Sequence, residues 1–232
     1  MFTMGSASKR DSWRDPRVAL EYEARRFRTP LQRLKHRRDE RAVLALLPAG
    51  AGARVLDLPC GTGRLFPALR RAGFAVIGGD VSLEMMRAGK TLHEDARAEL
   101  VQADGMRLPF LSGVFDAVVS LRFLFHLEHE ERVQTLRELR RASRGVVIGQ
   151  VRYRWTLKHF GRYLRSRVGL CARYRPSQDR CAIAGELAQA GLELLELRPI
   201  SRLFSDKALF LARPVSMGRA AIATEVHLVQ VV

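Results

Sequence analysis

The chain contains little cysteine and no long apolar run. Its three cysteines, Cys60, Cys171 and Cys181, form no CxxC pair and have no histidine at metal-ligand spacing, so neither a metal site nor a disulfide framework is predicted. A reducing, cytoplasmic compartment fits this usage best. The longest uncharged stretch, residues 42–53, contains Pro and Gly and is too short to span a bilayer. The N-terminus has no apolar core typical of a signal peptide. We therefore expect a soluble protein.

Acidic residues are scarce relative to basic ones. The sequence has 40 Lys and Arg against 24 Asp and Glu, a formal net charge of +16. Such an excess favours an anionic partner, which could be nucleic acid, a saccharide or lipid head group, or a membrane surface. Alternatively, the positive charge reflects genome composition and serves no partner, because most of the basic residues are arginine, as in proteins from GC-rich genomes. With 232 residues and 47% apolar residues, one globular domain with a full core is expected.

The strongest motif is VLDLPCGTGRL, at residues 55–65. An apolar run followed by Gly61-Thr62-Gly63 predicts a strand and a tight turn that lets the backbone approach a ligand, although an isolated GxG is most often an ordinary turn. Asp80 closes the next predicted strand about 20 residues after Gly61, the spacing at which a carboxylate meets the ribose of a nucleotide. Phe66 replaces the third glycine of a GxGxxG fingerprint, which counts against a dinucleotide. Together these features predict a nucleoside cofactor.

Apolar runs alternate with helical patterns along most of the chain. Strands are predicted at 55–58, 74–80, 100–104, 114–121, 145–151, 192–198 and 207–213. This alternation favours a doubly wound parallel α/β sheet. The pattern of residues 12–47 predicts a basic helix whose apolar face includes Leu31 and Leu34. Pro30 suits the first turn of that helix. Ser82 and Ser177 are predicted to cap the helices that follow them.

The 55–65 motif resembles the first motif of class I S-adenosylmethionine-dependent methyltransferases, and ADGMRLPF at 103–110 is similar to the Asp-x-x-x-Leu-Pro-Phe segment of that family. The resemblance implies a Rossmann-like, doubly wound, seven-stranded sheet, mostly parallel with an antiparallel last strand, and helices on both faces. It divides the chain into a basic helical cap (1–52), a methyltransferase domain (53–213) and a tail (214–232) without a family counterpart.

The resemblance also implies S-adenosylmethionine as the cofactor. Asp57 is expected to orient the loop and the methionine end, Asp80 to accept from both ribose hydroxyls, and Asp104 to accept from the adenine amino group. Leu121 and Arg122 match the position that borders the transferred methyl group, and Arg122 is grouped with the catalytic residues. The expected cofactor-binding set is Asp57, Pro59, Cys60, Gly61, Gly63, Asp80, Val81, Met85, Asp104, Gly105, Met106 and Leu121. Within it, Cys60 is best interpreted as a small packing residue.

Residues 152–180 break the alternation with nine basic residues, one acidic residue and interleaved aromatics. This composition favours a substrate-side insertion that contacts phosphates or rings, or alternatively a cover helix with snorkelling arginines. The chain further resembles a bacterial subgroup with LDLPCGTGR, an R-x-L-x-H element at 122–126 and the ending FSDKALFLAR. A loose association of that subgroup with cell-envelope genes points to a saccharide acceptor.

His126, just beyond the fourth predicted strand, is the first candidate for a general base and His129 the second, with a helix cap or core contact as the competing explanation. No Asp/Asn-Pro-Pro-Tyr follows that strand, which disfavours methylation of nucleobase amino groups. We predict methyl transfer to a small-molecule, saccharide or lipid-linked acceptor, including an anionic one. An RNA methyltransferase that uses residues 152–180 and a non-catalytic cofactor-binding protein stay open, and the sequence does not define an oligomeric state.

Overall fold

The computed structural model describes residues 29–48, 50–92, 98–156, 159–161, 163–164, 177–201 and 205–215. The strands are β1 (Arg54–Asp57), β2 (Ala75–Asp80), β3 (Glu99–Gln102), β4 (Phe115–Ser120), β5 (Ser143–Arg152), β6 (Leu192–Pro199) and β7 (Lys207–Pro214). The helices are α1 (Pro30–Leu44), α2 (Phe66–Arg71), α3 (Leu83–Leu92), α4 (His129–Ala142) and α5 (Arg180–Gln189), with a 3-10 helix at Leu124–His126.

The strands form one sheet in the order β3-β2-β1-β4-β5-β7-β6. Strands β1 to β5 are parallel, and β7 runs antiparallel to both β5 and β6. The predicted fold class, a doubly wound sheet with helices on both faces, is confirmed. The chain reverses its direction of winding between β1 and β4, and in such folds ligands bind at the carboxyl ends of the strands beside that point.

The central strands are apolar on both faces because both faces are covered. Leu56, Val118 and Val147 pack with α4 and α5 on one face. Val55 and Val119 belong to the cluster on the other face, together with residues of α1 and α2. This double cover explains why the sequence shows continuous apolar runs instead of alternation.

The beginning of α1 departs from the predicted apolar face. Pro30 occupies the first turn as expected, but Leu31 and Leu34 are 59% and 64% exposed. Burial is confined to the C-terminal end of the helix and the residues after it, where Val43 and Leu46 join the core. The prediction that Leu31 and Leu34 lie on a buried face is therefore wrong.

Helix caps were predicted correctly for α3 and wrongly for α5. Ser82 Oγ accepts the Met85 N–H at 3.2 Å. The cap of α5 is Asp179, whose carboxylate accepts the Ala182 N–H at 2.9 Å. Ser177 lies too far from the first helical residue to reach these N–H groups, because a capping side chain serves the N–H two or three positions after it.

Several sequence predictions fall on residues outside the described ranges. These are the N-terminal 28 residues, most of the basic stretch at 157–176 and the tail from 216 onwards. The domain boundaries at 52/53 and 213/214 therefore stay predictions. Within the part of the chain that the structure describes, no helix combines the length and apolar character needed to cross a membrane.

Two glycines provide a matched test of the packing. A Cβ at Gly145 in β5 would lie 2.1 Å from the Asp116 carbonyl oxygen, whereas a Cβ at Gly185 in α5 meets nothing within 4 Å. Gly145→Ala is expected to lower the free energy of unfolding by about 1–3 kcal/mol through overpacking. Gly185→Ala is expected to raise it by about 0.5–1 kcal/mol, because alanine loses less backbone entropy in a helix. Urea unfolding measures both, and equal effects would contradict this packing of β4 against β5.

Candidate cofactor-binding site

The site is built around the loop that joins β1 to α2. Gly61 and Gly63 have φ values of 56° and 72°, a conformation that side chains with a Cβ rarely adopt. Asp80, at the end of β2, fixes this loop because its carboxylate accepts the Gly61 N–H at 2.8 Å. The same carboxylate accepts the Ser82 N–H at 2.9 Å through its other oxygen. Each oxygen retains a further lone pair, so Asp80 can hold the loop and accept from a ligand together.

Phe66 explains why the third glycine of the fingerprint is replaced. A Cβ at Gly63 would lie 2.5 Å from the Phe66 ring, and one at Gly78 would lie 2.4 Å from it. The ring therefore fills the space that the two glycines leave beneath the loop. On the other side, helix α3 approaches closely at Gly89, where a Cβ would lie 2.6 Å from the Thr62 carbonyl oxygen. The loop is held in place by packing from below and from α3.

Asp57, the last residue of β1, is a buried carboxylate that is 3% exposed. Among the described residues, burial and the charges of Asp80 and Arg122 dominate its environment, with no hydrogen bond among the causes of its pKa shift. Burial raises the pKa of Asp57 well above its ordinary value, the nearby Asp80 charge raises it further, and Arg122 lowers it. Burial also raises the pKa of Asp80, against the hydrogen bonds from the Ser82, Gly61 and Val81 N–H groups. Asp57 is therefore an acceptor that the protein leaves available for a ligand.

Arg122 connects this site to the N-terminal helix. Its guanidinium bonds the Asp39 carboxylate of α1 at 2.7 Å, and its backbone has a positive φ of 58°. Positive φ at a residue other than glycine is strained and concentrates at functional sites. Sequence reasoning identified Arg122 but missed Asp39. The available signal was the pair of acidic residues, Asp39 and Glu40, in an otherwise strongly basic helix.

The remaining cofactor candidates surround the loop and the end of β3. Asp104 is exposed and accepts the Met106 N–H at 3.0 Å. A Cβ at Gly105 would lie 3.0 Å from the Phe123 ring, so the turn after β3 packs against the segment after β4. The other candidates are buried or half-buried: Pro59, Cys60, Val81, Met85, Met106 and Leu121.

Cys60 has the environment of a packing residue. The thiol is buried, and its sulfur lies 3.0 Å from the position of a Cβ built on Gly78. Burial raises the pKa of the Cys60 thiol well above its ordinary value, and the Asp57 and Asp80 charges raise it further. The thiol therefore stays protonated, and a nucleophilic role is disfavoured.

The two candidate bases have different surroundings. His126 ends the 3-10 helix after β4, is exposed, and packs its ring 4.6 Å from that of Phe125. His129 begins α4 and contacts Glu186 of α5 at 2.9 Å, where Arg132 also binds. His129 therefore belongs to the contact between α4 and α5, and His126 stays the better candidate for chemistry.

Comparison with known proteins identifies this region. Residues 55–145 match a family model described as a methyltransferase domain. These residues form a methyltransferase domain with the Rossmann-like fold of class I methyltransferases. The match begins at β1, includes the glycine loop, Asp80 and Asp104, and ends within β5.

Relatives of the methyltransferase domain have diverse names. A demethylmenaquinone methyltransferase from Clavibacter sepedonicus is 45% identical over 69 residues, which cover 29% of this chain and 28% of that protein. Methyltransferase GfsG from Streptomyces halstedii is 27% identical over 163 residues, 67% of this chain and 58% of that protein. The chain thus matches less than two thirds of the length of either relative. A magnesium protoporphyrin IX methyltransferase from Synechocystis, solved with bound SAH, is 20% identical with a TM-score of 0.73, covering 90% of this chain and 100% of that one.

The site of the methyltransferase domain fits S-adenosylmethionine. Asp57 offers a buried carboxylate whose environment among the described residues is set by burial and neighbouring charges, and Asp80 retains acceptor capacity beside the glycine loop that it fixes. These are the acceptors that an amino group and ribose hydroxyls require. The structure brings Asp57, Asp80 and the glycine loop together, and the binding of a cofactor by these residues stays a prediction.

The raised carboxyl pKa values predict an unusual pH dependence of stability. Between the ordinary and the raised pKa of Asp57, the folded protein binds more protons than the unfolded chain, so stability of the ligand-free protein falls as pH rises through that window. Asp57→Asn is expected to reduce this fall and to raise the Tm at pH 7. Asp116→Asn is the matched control, because bonds from Arg54 and Arg144 lower the pKa of Asp116. It should lower the Tm at pH 7. Thermal unfolding from pH 4 to 8 measures both, and a lower Tm for Asp57→Asn at pH 7 would contradict the assignment.

Proposed function

We propose that this protein is an S-adenosylmethionine-dependent methyltransferase that acts on a small-molecule acceptor. The observation that carries the proposal is the Asp57 carboxylate, buried at the end of β1 beside the loop that Asp80 fixes. A buried carboxylate without donors destabilises the ligand-free protein. Its presence in the site is explained by a ligand that supplies donors. The methyltransferase domain supplies the identity of that ligand.

The protein residues have separate tasks in the proposed reaction. When bound, S-adenosylmethionine supplies an activated methyl group on a sulfonium. Asp57 binds the amino-acid end of the cofactor and Asp80 the ribose, so that the two carboxylates fix its orientation. Val81, Met85 and the turn at 104–106 are placed to contact the adenine. For an oxygen acceptor, His126 Nδ1 or Nε2 takes the proton that the acceptor releases.

A finer proposal concerns the charge of the acceptor. At the carboxyl end of β5, the Arg152 guanidinium and the Lys207 ammonium both lie over the Phe125 ring, at 4.8 Å and 4.7 Å from its centroid. Arg152 also pairs with Asp206 at 3.2 Å. Cationic side chains at the end of the sheet where ligands bind favour an acceptor with an anionic group. This supports a saccharide or lipid-linked acceptor that carries phosphate or carboxylate.

The relatives favour a small-molecule acceptor over RNA. The names of two of them refer to demethylmenaquinone and magnesium protoporphyrin IX, both small organic molecules. The RNA alternative depends on the basic stretch 152–180, most of which lies outside the described residues. We place the protein in the cytoplasm as part of this proposal, because Cys60 and Cys181 are free thiols, as is usual in a reducing compartment.

Transfer of labelled methyl from S-adenosylmethionine into a fractionated bacterial extract tests the proposed function. The extract is divided and one half is treated with nuclease before the reaction. Label in a nuclease-resistant saccharide, lipid or small-molecule fraction is the expected result. Label that nuclease removes would identify RNA as the acceptor. Absence of label from all fractions, with cofactor binding established separately, would favour the non-catalytic alternative.

A further inference from the structure

Gln150 is a buried polar residue in an apolar part of the sheet. It lies in β5 and is 0% exposed, and among the residues that the structure describes neither its carboxamide oxygen nor its carboxamide nitrogen has a hydrogen-bond partner. Ile148, two residues earlier and therefore on the same face, is a fully buried core residue. Leaving a buried polar group unpaired costs about 1–3 kcal/mol. The methyltransferase domain thus retains a group that destabilises the protein unless a ligand pairs with it.

Strand register places Gln150 on the same face as the cofactor carboxylates. Asp57 pairs with Val119, and Val119 pairs with Ile148. Side chains of paired residues in a parallel sheet point to the same face, and so do residues two apart in one strand. Gln150 therefore shares the face of Asp57. By the same rule Asp80 shares it too, because Gly78 pairs with Asp57.

The strand order separates Gln150 from the cofactor residues along the edge of the sheet. Asp80 ends β2 and Asp57 ends β1, whereas Gln150 lies on β5, beyond β4. Since neighbouring strands are about 4.8 Å apart, two strand spacings, about 10 Å, separate β1 from β5. Ser120, the last residue of β4, pairs with Gly149, so the next residue, Leu121, comes beside Gln150. The cofactor thus occupies the β2–β1 side, and the β4–β5 side is left for the acceptor.

We propose that the Gln150 carboxamide binds the methyl acceptor and recognises a neutral group that both donates and accepts hydrogen bonds, such as a hydroxyl or an amide. This inference rests on the proposed function. A carboxamide offers two N–H donors and one acceptor oxygen without net charge. Its apolar, buried surroundings disfavour an ion at this position. An anionic group of the acceptor would instead lie towards Arg152 and Lys207, at the end of the same strand and its partner.

Gln150→Met tests the inference because methionine has a similar size and no amide. Thr135→Val is the matched control, since the Thr135 hydroxyl is also buried and has no partner within the described part of the chain, but lies in α4. Three quantities are compared with the wild type: the Tm, the affinity for S-adenosylhomocysteine by calorimetry, and labelled methyl transfer into the nuclease-treated small-molecule fraction. Gln150→Met is expected to keep or raise the Tm, to keep the cofactor affinity, and to lower transfer about 10- to 100-fold. Thr135→Val is expected to leave cofactor affinity and transfer unchanged.

The outcomes separate this inference from the proposed function. A lower Tm for Gln150→Met would make the residue structural and overturn the inference, whether or not transfer is seen. Equal transfer by Gln150→Met and the wild type would also overturn it. If the wild type transfers no label, the proposed function fails. A Gln150→Met Tm at or above that of the wild type would then still support Gln150 as a ligand-binding group maintained at the expense of stability.

Discussion

Replacing Asp80 by alanine is expected to weaken binding of S-adenosylhomocysteine at least 100-fold. The Asp80 carboxylate accepts the Gly61 and Ser82 N–H groups at 2.8 and 2.9 Å, and we propose that it also accepts from the ribose. Hydrogen bonds to a charged group are worth about 1.5–3 kcal/mol each, and about 1.4 kcal/mol corresponds to a tenfold change in affinity. Loss of the ribose contacts and release of the glycine loop are therefore expected to weaken the affinity by more than two orders of magnitude. Calorimetric titration measures the effect.

Asp104→Ala is the matched control for Asp80→Ala. Asp104 also follows a strand on the cofactor side, but it is exposed and accepts the Met106 N–H of its own turn, not an N–H of the glycine loop. We expect its removal to weaken binding about tenfold, the value of one hydrogen bond in water-accessible surroundings. Far-UV circular dichroism should be unchanged for both variants. Wild-type affinity in Asp80→Ala would remove Asp80 from the cofactor site.

Replacing His126 by alanine is expected to lower kcat about 100-fold for an oxygen acceptor. Proton transfer by a positioned side chain contributes about 10²–10⁴ to a rate. We choose the lower limit because His126 is exposed and contacts Phe125 at the edge of the site. Its side chain lies on the segment after β4 and not in the glycine loop, so cofactor affinity should not change. Steady-state turnover and calorimetry together separate the two effects.

His129→Ala provides the comparison for His126. His129 contacts Glu186 at 2.9 Å, and Arg132 holds the same carboxylate. The variant should therefore lose little stability and retain turnover. If His126→Ala has the same kcat as the wild type, His126 is not the general base. An equal loss of kcat in both variants would indicate a structural effect of the segment after β4.

The sequence predicted the sheet well because its central strands are covered on both sides. Strands β2 and β4 are buried along nearly their whole length, so each leaves a continuous apolar run that marks its position. The residue types typical of turns and helix caps likewise predicted the position of the glycine loop and of the cap at Ser82. These features are local in sequence, or depend only on whether a strand is buried.

Features that depend on tertiary contacts were missed. The Asp39–Arg122 pair joins residues 83 apart in the chain, and an acidic residue in a basic helix does not reveal which distant residue it binds. Leu31 and Leu34 have helical spacing, but they lie in the N-terminal part of α1 and are exposed. Only the C-terminal part of that helix joins the core. The bond from Gly61 to Asp80 is similar, because the spacing identified a carboxylate at the site but not its role in holding the loop. Gln150 lies within the predicted strand 145–151 without a distinguishing sequence signal, and its burial without a partner among the described residues is visible only in the structure.

A calorimetric titration of the wild-type protein with S-adenosylhomocysteine and, separately, with NAD⁺ tests the cofactor site most directly. We expect saturable one-to-one binding of S-adenosylhomocysteine and no detectable binding of NAD⁺, because Phe66 fills the space beneath the loop where a dinucleotide fingerprint has glycine. Binding of NAD⁺ in its place, or of neither compound, would contradict the assignment of Asp57, Asp80 and the glycine loop as a methyl-donor site.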